Sequence, residues 1–146
     1  MSLPRYEHLV GGDTPVVRAY GVTHQELFEH AVLGSFALVW PVASIPPRYS
    51  RPLVAPGGSL EELLVNWIEE AIDVARREEL AVSYVVVDRL EPGGVQGSVS
   101  GLPAAEVERV GAVIRGVAEP HPELVTIPDG FWADVTLDRE MPLRLA

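Results

Sequence analysis

Residues 59–77, S-L-E-E-L-L-V-N-W-I-E-E-A-I-D-V-A-R-R, carry the clearest secondary-structure signal in the chain. Ser59 and Glu62 have the spacing of a capping box, which satisfies free backbone N–H groups at the start of a helix. Acidic residues dominate one face, and two arginines close the segment in agreement with the helix dipole. The opposite face is a continuous apolar stripe formed by Leu60, Leu63, Leu64, Trp67, Ile68, Ala71, Ile72 and Ala75. The sequence therefore predicts an amphipathic helix near residues 59–79 that buries Trp67.

A second helix is predicted upstream, near residues 23–40. Thr23 and Glu26 form another capping box, and apolar residues follow at helical spacing. Pro41 has no backbone N–H and is expected to end the helix. Gly34 weakens the helix but would let it pack closely against another element.

The other apolar segments alternate with a period of two, which is typical of strands. The alternation is cleanest over 131–138, where Ala133 and Leu137 point one way and Asp134 and Asp138 the other. The glycines of segment 95–102 indicate either bulges or an edge strand. The predicted strands cover residues 16–21, 50–55, 81–91, 95–102, 109–118, 123–127 and 131–138.

The element order is β-α-β-α followed by a run of antiparallel strands. This order predicts an α+β fold in which two helices pack on one face of a mostly antiparallel β-sheet. With 146 residues, of which 47% are hydrophobic, the chain can build one domain with a real core. We therefore expect a single domain over residues 1–146.

Composition excludes several chemistries. All eleven basic residues are arginine and no cysteine is present, so a lysine Schiff base, a P-loop lysine, a thiol nucleophile and a cysteine-bound zinc are excluded. The 21 acidic residues give a net charge of −10. That charge argues against tight direct binding of nucleic acid and suits a cation or a partner with a basic face. A simpler alternative is that the acidic residues only keep the protein soluble.

The sequence shows neither a signal peptide nor a membrane-spanning segment. Residues 1–5 are not followed by the apolar region of a signal peptide, and the longest mostly apolar stretch, 31–40, is too short to cross a membrane. We expect a cytoplasmic protein without a membrane partner.

Two carboxylates are candidates for binding a hard cation such as Mg²⁺ or Ca²⁺, which prefers oxygen ligands. Asp13 follows two glycines, and Asp138 ends the last predicted strand. Each has a simpler alternative, a turn residue for Asp13 and a solvated strand end for Asp138. The four histidines lack the spacing of a zinc site. His121, between two prolines, is either presented by a rigid loop or is a structural histidine.

Several blocks of the chain stand in a characteristic order. They are Y-E-H at 6–8, R-A-Y-G-V-T at 18–23, E-L-F-E at 26–29, L-E-E-L-L-V-N-W-I at 60–68, R-G-V at 115–117 with His121, and the last strand at 132–138. Each block alone is of modest specificity, but their order and spacing over nearly the whole chain resemble the archease family.

The resemblance implies a function that composition does not. Archeases are small proteins that assist an RtcB-type tRNA-splicing RNA ligase. They accelerate guanylylation of the active-site histidine of the ligase and promote multiple turnover, and they are not themselves the ligase. The family binds a divalent cation through acidic residues near both ends of the chain. Asp13 matches the aspartate of the family's H-T-A-D motif, and Asp138 matches the aspartate of its terminal D-I.

The chain departs from the family pattern at both positions. Asp13 lies five positions after His8 where the family has three, and eight residues follow Asp138, beginning with Arg139. A positive neighbour should weaken a cation site. One alternative is therefore a divergent binding or scaffold protein that has lost the metal site. Another is a metal-dependent hydrolase using Asp13, Asp138 and His121, which ranks last because no general base with ligand-like spacing stands out.

Overall fold

The structure is a computed structural model that describes residues 3–9 and 14–140. The described residues form eight strands, two α-helices and two short 3-10 helices. The strands are β1 Tyr6–Leu9, β2 Val16–Gly21, β3 Tyr49–Pro56, β4 Leu80–Glu91, β5 Gly94–Pro103, β6 Ile114–Val117, β7 Val125–Ile127 and β8 Gly130–Arg139. The helices are α1 His24–Phe36 and α2 Leu60–Arg77, and the 3-10 helices are Val42–Ser44 and Ala104–Glu106.

The strands form two sheets in which all pairings are antiparallel. A five-stranded sheet has the order β1-β2-β8-β6, with β7 also paired to β8, and a three-stranded sheet has the order β3-β5-β4. Helix α1 packs against β2 and β4, and α2 packs against β3 and β6, so each helix contacts both sheets. The expected α+β fold with two helices and antiparallel strands is confirmed. The division of the strands into two sheets was not predicted.

Helix α1 begins as predicted but ends earlier. The Thr23 hydroxyl accepts a hydrogen bond from the backbone N–H of Glu26 at 3.1 Å. Regular helix stops at Phe36, and the following residues form turns in which the N–H of Trp40 still reaches the Phe36 carbonyl at 2.8 Å. Pro41 has no backbone N–H to donate to a helical hydrogen bond, and a proline disfavours helical backbone at the residue before it. The close packing expected at Gly34 is confirmed, because a Cβ there would lie 2.7 Å from Val17.

Helix α2 matches the prediction along its length. Its N-cap is Ser59, whose hydroxyl accepts from the Glu62 N–H at 3.1 Å. Trp67 is fully buried, and its indole N–H donates to the Phe28 carbonyl of α1 at 3.2 Å. The apolar stripe thus contributes to the hydrophobic core, and its Trp67 links α2 to α1 by this hydrogen bond. No helix among residues 3–9 and 14–140 is long and apolar enough to cross a membrane.

Strand β8 connects the parts of the five-stranded sheet, since it pairs with β2, β6 and β7. The predicted alternation is confirmed, because Ala133, Val135 and Leu137 have no exposed surface. Asp138 points away from this apolar row and is exposed. This arrangement places a carboxylate at the end of a strand held on both sides.

The interpretation of 95–102 as an edge strand is wrong, because β5 is the central strand of its sheet. The bulges indicated by the glycines are present, but they lie in the partner strand β4, between Val82 and Tyr84 and between Val87 and Arg89. A Cβ on Gly97 would overlap the Val86 carbonyl oxygen of that strand. The glycines therefore allow a bulged neighbour to approach closely.

The strand predicted over 109–118 is restricted to β6, residues 114–117. The segment before it docks on the end of α1 instead, where the Val110 N–H donates to the Val39 carbonyl at 2.7 Å. Val110 itself is 62% exposed, so it does not contribute to the core as the alternating pattern predicts. Downstream, the 123–127 strand is shortened to β7, residues 125–127.

Candidate functional site

Of the two candidate carboxylates, the structure describes only Asp138, which lies near the end of β8. Asp13 lies outside the described residues. The backbone N–H of Leu137 donates to the Pro15 carbonyl at 3.0 Å. The residue before Asp138 is therefore bonded to a residue two positions after Asp13.

The Asp138 side chain is 57% exposed and faces a positive neighbour. Arg115 Nε lies 3.8 Å from Asp138 Oδ2, which is too long for a hydrogen bond but close enough for an ion pair. Arg115 stands at an irregularity in the β6–β8 pairing, between the paired positions Ile114 and Gly116. The pair is exposed and loosely held, so it contributes little to stability and can open. Arg115 is thus a competitor for any cation at Asp138.

A third carboxylate, Glu69 of α2, reaches the same side of β6. Its Oε1 accepts a hydrogen bond from the Val117 N–H at 3.3 Å, and a Cβ on Gly116 would lie 3.1 Å from its Oε2. Gly116 is the register partner of Asp138, and directly opposed residues project to the same face of a sheet. The sequence pattern puts Glu69 on the acidic face of the helix and does not predict its contact with β6. The one sequence feature related to this contact is Gly116, which has no side chain to block the approach of Glu69.

The histidines serve structural contacts or face solvent. His8 Nε2 donates to the Gly34 carbonyl at 2.9 Å, which joins β1 to α1, and His30 Nδ1 donates to the Tyr20 carbonyl at 2.7 Å. His24 stacks on Phe131 with ring centroids 4.1 Å apart. His121 Nε2 lies 3.3 Å from Glu119 Oε1 on an exposed loop. Across residues 3–9 and 14–140, no three histidine or acidic side chains are grouped so that they could hold a metal ion.

A second charged pair lies closer to the start of β8 than Asp138 does. Arg18 donates to Asp134 from Nε and Nη2, at 2.7 and 2.9 Å, and its guanidinium lies 4.0 Å from the centre of the Trp132 ring. The hydrogen bonds to Asp134 raise the pKa of Arg18 above its ordinary value, against the opposing effect of burial. This pair connects β2 to β8, the strand that carries Asp138 near its end.

The fold is that of a small α+β protein of the archease class. The archease protein family matches residues 13–138, and the chain belongs to this family. The two ends of that match coincide with the two candidate carboxylates, Asp13 and Asp138.

Similar proteins agree with this assignment. Protein archease of Methanosarcina barkeri is 25% identical over 139 residues, which cover 92% of this chain and 95% of the relative. Protein archease of Pyrobaculum islandicum is 31% identical over 72 residues, covering 49% of each.

Solved structures share the fold. Protein 1598 of Methanobacterium thermoautotrophicum superposes with a TM-score of 0.75 and 19% identity, covering 92% of this chain and 98% of that chain. An archease of Thermotoga maritima, termed a possible chaperone, has a TM-score of 0.60 and 14% identity, covering 94% of this chain and 97% of that chain.

Proposed function

We propose that the protein is a cytoplasmic cofactor of an RtcB-type RNA ligase in tRNA splicing or RNA repair. It promotes guanylylation of the ligase and is not itself a catalyst. The observation that carries this proposal is the family match over residues 13–138, which spans both helices and all strands from β2 to β8. The net charge of −10 supports action on a protein with a basic face.

The proposed activity depends on a divalent cation, Ca²⁺ or Mg²⁺, held by Asp13 and Asp138. The described residues supply part of a suitable donor set, because Asp138 is exposed and offers carboxylate oxygens. A hard cation takes six or more oxygen ligands, so backbone carbonyls and water would complete its shell. When bound, the cation would neutralise the negative charge of the two carboxylates. Arg115 must move aside for this to happen.

The T. maritima relative is termed a possible chaperone. A chaperone-like role agrees with the proposed activity, because in both cases the protein acts on the state of another protein.

The proposal is tested by measuring ligase guanylylation with radiolabelled GTP and the number of ligation turnovers, with and without this protein. We expect the wild-type protein with Ca²⁺ or Mg²⁺ to increase both. Asp138→Asn should lose the stimulation. Asp129→Asn is a matched control, because Asp129 is an exposed aspartate in the turn that precedes β8, at the opposite end of the strand from Asp138. Absence of stimulation by the wild-type protein would contradict the proposal.

A second candidate function is an archease-fold scaffold that no longer binds metal. Arg115, 3.8 Å from Asp138, favours it, because a guanidinium can take the place of the cation. Thermal melts with millimolar Ca²⁺ or Mg²⁺ separate the two functions. A cation that stabilises the wild type but not Asp138→Asn supports the activator, since ligands of the native state raise its stability. Identical melts of both proteins, with ligase stimulation retained by Asp138→Asn, support the scaffold.

A further inference from the structure

A cavity of about 520 Å³ lies at the end of the molecule where both helices terminate. It is bounded by the end of α1, the last turns of α2, the start of β4 and the 3-10 helix at 104–106. Its floor is apolar and is formed by Phe36, Val39, Trp40, Ile72, Leu80 and Ile114. This volume is in the range of small-molecule sites, which are mostly apolar with a few polar groups. Asp138 does not line it.

The charged groups at the cavity are two arginines, Arg76 and Arg109, and one glutamate, Glu79. Among the described residues neither arginine forms an ion pair, and Arg76 makes only a long hydrogen bond of 3.5 Å to the Arg115 carbonyl. Among the described residues that line the cavity, positive side chains therefore outnumber negative ones by one. Such an excess favours an anionic ligand.

A comparison with Arg77 shows how the surroundings of Arg76 differ from those of an arginine that only ends a helix. Both Arg76 and Arg77 complement the dipole at the end of α2. Arg77 is paired with Asp73 one turn earlier, at 2.8 Å, and does not line the cavity. Arg76 instead stands beside an apolar floor. Its guanidinium can form paired hydrogen bonds with a carboxylate, which is the geometry that arginine prefers.

Arg109 is the weaker of the two candidate anchors for an anion. It also lines an adjoining depression that contains Glu108 and Glu140, whose negative charges offset its positive charge. Glu79 has the opposite effect on an anion, because a second carboxylate at the mouth repels it. The anchoring role therefore falls first to Arg76, with Arg109 assisting and Glu79 opposing.

We propose that this cavity binds a small amphipathic carboxylate, with an aliphatic or aromatic body on the apolar floor and the carboxylate on Arg76. The proposal concerns a surface apart from Asp138 and does not depend on the ligase or on the cation. Trp40, which lines the floor, gives the site an intrinsic fluorescence reporter.

The test is calorimetric titration of the full chain with decanoate, below its micelle concentration, and in parallel with the uncharged decanol. We expect saturable binding of decanoate with a change in tryptophan fluorescence. Arg76→Met should weaken decanoate about tenfold, because it removes a charge-assisted contact, and should leave decanol unchanged. Glu79→Gln should strengthen decanoate. Arg77→Met is the matched control and should behave as the wild type.

Three outcomes overturn the proposal. The first is the absence of saturable decanoate binding by the wild type. The second is an equal loss of affinity in Arg76→Met and Arg77→Met, which would indicate only general charge attraction. A similar affinity for decanol and decanoate in the wild type would likewise exclude recognition of the carboxylate.

Discussion

Arg18 on β2 and Asp134 on β8 are register partners, and the guanidinium donates to both carboxylate oxygens, at 2.7 and 2.9 Å. Both side chains are about one-third exposed, at 32% and 34%. A shift of one residue in this pairing would turn Leu137 outward and Asp138 inward. The pair therefore helps to fix the register that places Asp138 at the surface.

Arg18→Lys should destabilise the protein by about 1 kcal/mol, because lysine cannot reproduce the paired hydrogen bonds or the stacking on Trp132. Chemical denaturation measures this loss, with Arg48→Lys as a control that should change little. The folded-state pKa of Arg18 is raised, so its contribution is present below the ordinary arginine pKa and is lost only as pH rises through the folded value. The difference from wild type should thus stay constant from about pH 6 to 9. A Lys variant as stable as the wild type would contradict the assigned role.

Trp67→Ala should cost about 3–5 kcal/mol, because it removes the largest fully buried side chain and its hydrogen bond to Phe28. Trp67→Phe should cost less, since most of the apolar volume remains while the Phe28 carbonyl loses its indole donor. Urea denaturation of the three proteins provides the measurement. A loss below about 1 kcal/mol for the alanine variant would show that the core does not depend on this residue.

Gly97→Ala should be among the most damaging single-methyl additions in the chain. The new Cβ would overlap the backbone of β4 at Val86, which cannot move aside as a flexible side chain can. We expect a loss of about 3 kcal/mol or more. Gly94→Ala in the same strand is the control, because the nearest atom to its Cβ would be 4.0 Å away. Equal melting temperatures for the two variants would refute the proposed close approach.

The parts of the fold that the sequence predicted are those determined by local signals. The helix N-caps at Thr23 and Ser59 and the alternation in β8 involve residues close together in the chain, and the structure confirms them. The strand over 109–118 was overpredicted because weak alternation cannot show that Val110 bonds to the end of α1. The division into two sheets depends on pairings between distant segments, which periodicity does not encode.

The candidate site, like the fold, was predicted only where local signals determine it. The sequence and the family resemblance selected Asp138, whose exposure follows from the alternation of its strand. The approach of Arg115 depends on an irregularity in the β6–β8 pairing, and that of Glu69 depends on the packing of α2 against Gly116. Both are tertiary contacts. The cavity beside Arg76 is likewise assembled from segments that are far apart in the chain.

The purified protein should not bind tRNA tightly at physiological salt. Its net charge of −10 opposes the phosphate contacts that supply most of the affinity for nucleic acids. Fluorescence anisotropy with labelled tRNA, at low and physiological salt, checks this. Tight binding that weakens steeply with salt would contradict the proposal that the protein acts on RNA through a partner.

Arg115→Gln should strengthen cation binding at Asp138. The guanidinium lies 3.8 Å from the carboxylate and must be displaced by any ion that binds there. One charge at this distance in water corresponds to an effect of about fivefold on affinity. Thermal melts over a series of Ca²⁺ and Mg²⁺ concentrations should therefore show stabilisation at about one-fifth of the wild-type concentration. Arg51→Gln, which breaks an exposed ion pair with Glu78 at 3.4 Å, is the control and should leave the cation response unchanged. Asp138→Asn should abolish the response whether or not Arg115 is present. If Arg115→Gln instead loses the response as Asp138→Asn does, the arginine supports the site rather than competing with the cation, and the proposed direct binding of the ion to Asp138 is wrong.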